Sequence, residues 1–265
     1  MKAKTVIITG GGSGIGAALA HQYAKGGYNL AILDINPQGA EETANVCRQI
    51  GATVLVQECD VTSPQSCMDA VEETLAHFGH IDVVVANAGL THLSLLEDTD
   101  LSVIRRVMEV NFFGAINIAK VALPALFKTK GQIIAMSSVA GFCPLPMRSG
   151  YAASKYAVRG FFETLRTETR HRGLGVMIVC PSYVATKIGK NALGGDGDKA
   201  TYQRPEAKDA ISAEDAAAQI ISAANKRRDF LALGKGATLA RLLSRLAPSW
   251  LEKLSTQRVM NNAKT

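Results

Sequence analysis

Short runs of apolar residues alternate along this chain with longer segments in which apolar residues recur every three or four positions. The short runs are nearly continuous in valine, isoleucine and leucine, which is typical of strands buried on both faces of a parallel sheet. The longer segments have the period of amphipathic helices. The predicted strands are residues 5–9, 29–34, 53–58, 81–86, 132–137, 175–180 and 230–233. The predicted helices are residues 14–25, 39–50, 64–78, 101–128, 151–172 and 213–226.

The alternation of strand and helix predicts an α/β fold, with a doubly wound, seven-stranded parallel sheet and right-handed crossovers. No internal repeat, low-complexity tract or proline-rich linker interrupts the pattern. A chain of 265 residues is near the upper limit for one hydrophobic core. We therefore expect a single domain over residues 1–265.

Two segments depart from the alternation. Residues 185–209 are rich in glycine and charge and lack periodicity, so we expect a substrate loop that is disordered without ligand and then closes over the site. Residues 235–265 form a basic amphipathic tail, in which leucines and a tryptophan recur at helical spacing. Pro248 is expected to divide this tail into two short helices.

Composition narrows the class of protein. The chain is 47% hydrophobic and 20% charged, which excludes an intrinsically disordered polypeptide. No run approaches the ~18–20 uncharged apolar residues that cross a bilayer, and the first residues lack the apolar segment of a secretory signal. Five scattered cysteines have no CxxC spacing, so we expect reduced thiols and a cytoplasmic location. The five histidines show no ligand spacing, and no metal site is expected.

The net charge of +6 is unevenly distributed. Residues 226–265 carry nine basic and two acidic side chains, a net charge of +7, so the preceding residues together carry −1. This neutral body gives no reason to expect a nucleic-acid partner. Exposure of the apolar face of the tail to water is unfavourable, so we expect this face to be buried. The partner could be the protein's own surface, a second subunit or an anionic membrane.

A glycine-rich turn joins the first predicted strand to the first predicted helix. Glycines permit a tight turn there and let backbone N–H groups approach a pyrophosphate at the positive end of the helix. A tight strand–helix turn without a ligand would have the same composition. The cofactor-binding candidates are Gly10, Gly12, Ser13, Gly14, Ile15 and Gly16.

Carboxylates follow the second and third predicted strands. Asp34 comes about 20 residues after the glycines, where it can accept hydrogen bonds from both ribose hydroxyls of an adenosine and would repel a 2′-phosphate. The next residues are Ile35 and Asn36 rather than an arginine, which favours NAD over NADP. Asp60, followed by Val61, is expected beside the adenine, although an aspartate is also an ordinary residue at a strand end.

Tyr151 and Lys155 are four residues apart on a predicted helix, so their side chains share one face. A neighbouring ammonium, together with a nicotinamide cation, favours the phenolate and lowers the tyrosine pKa from about 10 towards the working pH. Ser138, after the fifth strand, can hydrogen-bond a substrate oxygen from the opposite side. The joint spacing of the three predicts general acid–base catalysis.

Five motifs together resemble the short-chain dehydrogenase/reductase family, in its single-domain branch, over residues 4–234. They are Thr9-Gly-Gly-Gly-Ser-Gly-Ile-Gly16, Asn87-Ala88-Gly89, Asn111, Ser137-Ser138 and Tyr151-x-x-x-Lys155. The resemblance implies a Rossmann-like sheet, with Tyr151 as the acid–base group and Ser138 orienting the substrate oxygen. It also implies that Lys155 lowers the pKa of Tyr151 and holds the nicotinamide ribose, and that Asn111 positions a water in a proton relay.

The same resemblance implies further cofactor contacts, which are Asn87, Ala88, Gly89, Tyr151, Lys155, Pro181, Val184 and Thr186. The family usually has Pro-Gly after its sixth strand, whereas this chain has Pro181-Ser182. The chain therefore departs from the family pattern in the backbone segment that is expected beside the nicotinamide. The tail, with Leu-Ala-Pro and a following tryptophan, is similar to a membrane-associated subset that acts on apolar carbonyls.

We therefore expect an oxidoreductase that transfers a hydride between NAD(H) and a secondary alcohol or ketone. A set of apolar residues favours a hydrophobic, lipid-like substrate, although the same residues could be ordinary loop packing. They are Leu90, Leu93, Phe142, Cys143, Pro144, Leu145, Pro146, Met147 and Tyr183. His92 either faces the pocket or has no part in the site.

Other readings stay open. An epimerase or dehydratase of the family's extended branch is disfavoured by the glycine spacing and by the lack of a large C-terminal substrate domain. A catalytically idle dinucleotide sensor or scaffold is disfavoured by the intact serine, tyrosine and lysine. A membrane-peripheral protein acting mainly through its tail is the third. Family members are commonly homodimers or homotetramers through helices that correspond here to residues 101–128 and 151–172.

Overall fold

The computed structural model describes residues 2–201, 210–234 and 236–262, with side chains as far as residue 256. The strands are β1 (Thr5–Thr9), β2 (Asn29–Asp34), β3 (Val54–Glu58), β4 (Val83–Ala86), β5 (Gln132–Met136), β6 (Gly175–Pro181) and β7 (Phe230–Leu233). They form one sheet in the order β3-β2-β1-β4-β5-β6-β7, and every neighbouring pair is parallel. The predicted doubly wound, seven-stranded parallel sheet in a single domain is confirmed.

Helices cover both faces of this sheet. They are α1 (Gly14–Lys25), α2 (Pro37–Gln49), α3 (Pro64–Phe78), α4 (Leu101–Met108), α5 (Gly114–Thr129), α6 (Ser149–Thr169), α7 (Ala213–Asn225), α8 (Ala237–Leu246) and α9 (Pro248–Asn262). On one face, α1, α2 and α7 bury side chains such as Leu19 and Ile220. On the other, α3, α5 and α6 bury side chains such as Ile118 and Phe162. Strands covered on both sides explain why their sequences are almost continuously apolar.

The ends of the elements differ by a few residues from the predicted ones, for local reasons. Helix α2 begins two residues early because Asn36 caps it, accepting a hydrogen bond of 3.3 Å from the N–H of Gly39. Pro37 then occupies the first helical position, where a missing N–H costs nothing. The predicted helix 101–128 is interrupted by a π-helical turn at Glu109–Phe113, and such turns are frequent at functional sites.

The helical segment Leu101–Thr129 has the length and hydropathy that a membrane-crossing helix needs. The segment contains no uncharged run of the length expected for a membrane span, because Glu109 and Lys120 interrupt it. Core helices meet the same criterion, and here Ile118, Ala122 and Leu126 are fully buried against the sheet. The apolar composition of this segment therefore has a structural explanation in core packing.

The predicted substrate loop, 185–209, is described as far as residue 201, and its remainder lies outside the described residues. Leu193 pairs with the segment after β4, since its N–H donates to the carbonyl of Thr91 at 2.9 Å and its carbonyl accepts from Leu93 at 2.8 Å. Ala192 and Ala200 are buried beside Leu93. The expectation that this loop lacks structure without a ligand is wrong for its described part, because these long-range bonds hold it.

The tail forms the two predicted helices, α8 and α9, which are divided at Pro248. Helix α8 packs against β7 and against the turn after β5. Its Arg241 guanidinium lies 3.6 Å from the centre of the Phe230 ring. Other side chains of α8 are exposed, with Leu242 at 52% and Leu246 at 74% relative accessibility.

Candidate active site

The site lies where the strand order reverses, between the carboxyl ends of β1 and β4. A doubly wound sheet opens a crevice at this point because its crossovers leave to opposite faces. A cleft of about 1360 Å³ occupies this position. The predicted site residues that line it are Gly10, Ser13, Gly14, Ile15, Asp34, Asp60, Val61, Asn87, Ala88, Gly89, Ser138, Tyr151, Lys155, Pro181, Val184 and Thr186. Gly12, Gly16 and Asn111 do not line it directly.

The glycine-rich turn forms one end of the cleft, packed against the loop after β4. Gly10 has a φ of +62°, and a Cβ there would lie 2.9 Å from the Cα of Ala88. The Asn87 amide donates to the carbonyls of Thr9 and Gly10 at 2.9 and 3.0 Å. A side chain at Gly16 would strike the Gly10 carbonyl. These contacts leave no room for a side chain at Gly10 or Gly16 and keep the backbone of the turn close to the loop after β4.

Asp34 lies at the rim of the cleft and is tied to the glycine turn. Its Oδ2 accepts a hydrogen bond of 2.8 Å from the N–H of Gly12, and its Oδ1 accepts one of 2.9 Å from Asn36. A Cβ at Gly12 would lie 2.9 Å from Oδ2, so the glycine is needed for this approach. Ile35, beside it, is 65% exposed.

Asp60 and Val61 line the cleft after β3. The Oδ1 atom of Asp60 accepts from both the N–H and the hydroxyl of Thr62, at 2.9 and 2.8 Å. Both bonds come from the turn itself, so the carboxylate is held in place at the cleft wall.

Ser138, Tyr151 and Lys155 meet at the centre of the cleft, although 13 residues separate the serine from the tyrosine. The Ser138 side chain lies close enough to the Tyr151 phenol to act towards a lower pKa of that phenol, and the Ser138 hydroxyl donates to the carbonyl of Pro181 at 3.4 Å. The Lys155 ammonium donates to the carbonyl of Met136 at 2.9 Å and lies 5.7 Å from the centre of the Tyr151 ring. One helix, α6, carries the tyrosine and the lysine, and the serine lies two residues after the end of β5.

Burial dominates the protonation of this cluster. Desolvation raises the pKa of Tyr151 above its usual value, while the Ser138 hydrogen bond and the Arg148 cation act in the opposite direction. Desolvation also lowers the pKa of Lys155 to about 8. The family resemblance implies that the lysine lowers the tyrosine pKa. In the described structure, Ser138 and Arg148 do so, and burial outweighs both.

Asn111 sits in the π-helical turn behind Lys155 and holds two segments together. Its Oδ1 accepts from the N–H of Leu90 at 2.8 Å, and its Nδ2 donates to the Leu90 carbonyl and to Ser154 Oγ at 3.0 and 2.9 Å. A Cβ at Gly89 would lie 3.1 Å from Asn111 Oδ1 and 3.6 Å from the Lys155 ammonium. The side chain is thus engaged by protein atoms, and it fastens helix α6 to the loop after β4.

The Pro181-Ser182 sequence takes the place of the family's Pro-Gly without strain. Ser182 is not among the residues of positive φ, and its N–H donates to the Leu233 carbonyl at 2.8 Å. Room for its side chain comes from Gly234, where a Cβ would lie 3.0 Å from that of Ser182. Further along, the Thr186 side chain lies against Gly14.

Only part of the apolar set expected near a substrate reaches the cleft. Leu90, Leu145 and Tyr183 line it. Phe142 is instead in the core of the sheet, and Leu93 packs with Met147 in a separate cluster. His92 is fully buried, outside the cleft lining.

Sequence reasoning missed several residues that hold or line the site. The Thr9 hydroxyl accepts from the N–H groups of Asn87 and Ala88 at 3.0 and 3.1 Å. Ser154 links Asn111 to the Tyr151 carbonyl. Arg148 lines the cleft. Their positions next to the motifs were a usable signal, since Thr9 precedes the glycines and the other two flank the tyrosine.

Among the described residues, no group of three or more histidine, cysteine, aspartate or glutamate side chains is arranged to hold a metal ion. All five cysteines are free thiols, and four of them are buried.

The fold is a doubly wound α/β sheet, and the cleft at its switch point is lined by Ser138, Tyr151 and Lys155. The sequence model of the short chain dehydrogenase family matches residues 4–196. The chain belongs to this family of oxidoreductases.

Two relatives illustrate the similarity. The 11-beta-hydroxysteroid dehydrogenase A of Arachis hypogaea is 40% identical over 189 residues, which cover 71% of this chain and 54% of the relative. The chain thus spans about half the length of that protein. Dehydrogenase/reductase SDR family member 7B of Bos taurus is 32% identical over 268 residues, covering 98% of this chain and 82% of the relative.

Two solved structures have the same fold. A short chain dehydrogenase/reductase from Burkholderia phymatum in complex with NAD has a TM-score of 0.82 and 26% identity, covering 96% of this chain and 95% of its own. An alcohol dehydrogenase from Thermococcus sibiricus, complexed with 5-hydroxy-NADP, has a TM-score of 0.77 and 27% identity, covering 88% and 96%. Structural neighbours therefore bind either nucleotide.

Proposed function

We propose that this protein is an NAD-dependent alcohol dehydrogenase or carbonyl reductase that acts on a secondary alcohol or ketone. The observation that carries the proposal is the convergence of Ser138, Tyr151 and Lys155 in the cleft that the glycine turn and Asp34 border. An idle sensor would have no use for a phenol placed beside a buried ammonium at the end of the sheet.

The residues of the cleft fit a nicotinamide dinucleotide. The glycine turn offers backbone N–H groups at the start of α1, where a helix end favours a pyrophosphate. Asp34 supports NAD, because its carboxylate can accept from ribose hydroxyls and would repel a 2′-phosphate. The exposed neighbour Ile35 supplies no cation for such a phosphate. The Pro181–Thr186 segment faces the turn and would lie along the nicotinamide.

The chain's own part in the reaction is to orient the substrate and to move one proton. Ser138 accepts from the N–H of Ala140 at 3.2 Å, which fixes its hydroxyl beside the phenol. In the direction of reduction, Tyr151 gives its proton to the carbonyl oxygen that Ser138 also contacts, and in oxidation it takes that proton back. The bound nicotinamide supplies the hydride chemistry. Lys155, held by Met136, adds positive charge behind the phenol.

The substrate end of the cleft combines apolar and charged groups. Leu90, Leu145 and Tyr183 favour an apolar or lipid-like substrate, and Arg148 adds a charge beside the reacting oxygen.

A panel of secondary alcohols and ketones of graded chain length, assayed with NAD and with NADP, tests the proposal. We expect turnover with NAD, rising with the apolar length of the substrate. If no compound of the panel is turned over with either nucleotide, although the nucleotides bind measurably, the result would favour a catalytically idle dinucleotide sensor.

The tail supports a second proposal, contact with an anionic membrane surface. Its exposed apolar residues are Leu239, Leu242, Leu246 and Trp250. The described chain leaves them uncovered, and the +7 charge of residues 226–265 complements a negative surface. The protein would then be cytoplasmic and peripheral to the membrane.

We also propose a homodimer or homotetramer through α4, α5 and α6. Two exposed aromatic side chains support a subunit contact there: Phe113, in the π-helical turn between α4 and α5, at 44% relative accessibility, and Phe161, on α6, at 36%. Light scattering after size exclusion measures the oligomeric state directly.

A further inference from the structure

His92 is fully buried beside the first turn of α6, next to the catalytic tyrosine. Its Nε2 accepts a hydrogen bond of 3.0 Å from the N–H of Gly150. Gly150 immediately precedes Tyr151 in the chain. The histidine therefore holds the backbone from which the phenol projects.

The first amides of a helix have no partner within the helix and need one from outside. In α6 the N-cap residue is Arg148, whose side chain makes no capping bond. The His92 ring takes over this task from a segment 58 residues away. It thus acts as an N-cap supplied from another part of the fold.

The hydrogen bonds of the His92 ring define its tautomer and its charge. Because Nε2 accepts, the ring is neutral with its proton on Nδ1, which donates to Ser94 Oγ at 3.4 Å. Ser94 Oγ is in turn 2.7 Å from Thr99 Oγ1. Burial, helped by the Arg148 cation, lowers the pKa of His92 and favours this neutral form. A Cβ at Gly150 would lie 3.1 Å from Nε2, so a side chain there would push the ring away.

The backbone around His92 also holds the substrate loop. The Leu193 carbonyl accepts a hydrogen bond of 2.8 Å from the N–H of Leu93, and the Leu193 N–H donates one of 2.9 Å to the carbonyl of Thr91. Leu193 is therefore hydrogen-bonded to the residues on both sides of His92. The segment 91–93 therefore contacts the described part of the loop through its backbone and the catalytic helix through its side chain.

We propose that His92 is a positioning residue that fixes the first turn of α6, and with it the Tyr151 hydroxyl, relative to the substrate loop. The proposal rests on the proposed acid–base role of Tyr151. Without the bond, the turn 149–151 gains freedom and the phenol spends less time in reach of the substrate oxygen beside Ser138. The dinucleotide contacts at Gly10 and Asp34 are on other elements and do not depend on it.

Three variants of the full chain and one control test this. His92→Leu removes the acceptor, whereas His92→Gln offers a side-chain oxygen that can reach the Gly150 N–H. The matched control is His171→Gln at an exposed histidine after α6. Ser94→Ala keeps the ring but removes its Nδ1 partner, and it serves as a milder change if His92→Leu does not fold.

The first measurement is amide hydrogen exchange at Gly150, Tyr151 and Leu193. We expect His92→Leu to speed exchange at Gly150 by about tenfold, as the loss of one hydrogen bond implies. Ser94→Ala should give a smaller increase, and both His92→Gln and His171→Gln should stay close to wild type. Unchanged exchange at Gly150 in His92→Leu and in Ser94→Ala would overturn the proposal.

The second measurement is steady-state kinetics on a substrate found with the panel. We expect His92→Leu to lower kcat by about 10-fold or more with little change in KM for NAD, since misplaced catalytic groups reduce turnover. His92→Gln should restore most of it. Faster exchange with unchanged kcat would refute the positioning role while leaving the proposed function intact. A wild-type protein with no turnover would instead refute the proposed function, and the exchange data alone would still decide whether His92 holds the turn.

Discussion

The Lys155 ammonium lies 5.7 Å from the centre of the Tyr151 ring and donates its hydrogen bond to the carbonyl of Met136. The hydrogen bond of the lysine thus goes to the end of β5 and not to the phenol. Lys155 is buried, and the same burial opposes charge on both groups. In the described structure the cluster favours a neutral phenol, which is the form that donates a proton to a carbonyl oxygen.

Removing the phenolic hydroxyl tests the acid–base role. Tyr151→Phe keeps the ring and its packing, so turnover should fall by the ~10²–10⁴-fold typical of a general acid or base. NADH binding, followed by fluorescence titration, should survive. Tyr156→Phe, one turn further along the same helix and 48% exposed, is the matched control. Near-normal turnover in Tyr151→Phe would show that another group transfers the proton.

The buried lysine predicts a particular dependence of stability on pH. Its pKa is lowered from 10.5 to about 8 in the folded protein, so between these values the unfolded chain binds more protons than the folded one. The free energy of unfolding should therefore rise with pH across pH 8–10, by up to ~1.4 kcal/mol per unit. Above that window, the raised pKa of Tyr151 acts in the opposite direction.

Denaturant unfolding at a series of pH values measures this rise. Lys155→Met should remove it, whereas Lys120→Met, at an exposed position on α5, should leave it in place. Identical pH profiles for the wild type and Lys155→Met would contradict the assignment of the rise to Lys155.

Cofactor choice is tested at Asp34. We expect the wild type to prefer NAD, measured as the ratio of kcat/KM with the two nucleotides. Asp34→Ala combined with Ile35→Arg should shift the ratio towards NADP, because it removes a repelling carboxylate and adds a cation at an exposed position. Asp34→Asn is the useful control, since its side-chain oxygen can still accept from the Gly12 N–H. Equal or better use of NADP by the wild type would refute the assignment.

The sequence predicts the sheet and most of the cleft because both depend on local signals. Continuous apolar runs mark the strands, and in a doubly wound sheet the residues at strand ends come together whatever their separation along the chain. Asp34, at the end of β2, and Ser138, just after β5, are placed in this way. Their chemistry follows from residue type and position on the element.

Other features depend on contacts between distant segments and could not be read locally. The π-helical turn at Glu109–Phe113 interrupts a segment that is helical by period on both sides. Leu193 is ordered by bonds to Thr91 and Leu93, roughly a hundred residues earlier. His92 has no motif around it, and its role appears only with its partner Gly150 in place. Composition alone made the loop look disordered and the histidine incidental.

The tail carries the last prediction. On α8 and the start of α9, Leu239, Leu242, Leu246 and Trp250 are between 51% and 74% exposed. Exposed apolar area costs roughly 25 cal/mol per Å² in water. Nearby basic side chains would each add about 1 kcal/mol on an anionic surface. We therefore expect the protein to sediment with anionic vesicles at low salt, to stay in solution with neutral vesicles, and to be released at high salt.

Two changes test whether the tail is the segment that binds the vesicles. Truncation after Gly236 should abolish sedimentation, and Leu246→Glu should weaken it strongly, because it places a carboxylate in the most exposed position of the stripe. Thr238→Glu adds the same charge at an exposed polar position of α8 and is the control for charge alone. If the stripe instead covers a second copy of the chain, vesicles will not retain the protein at low salt and Leu246→Glu will convert an oligomer to a smaller species in light scattering. That result would replace the membrane with a subunit as the partner of the tail.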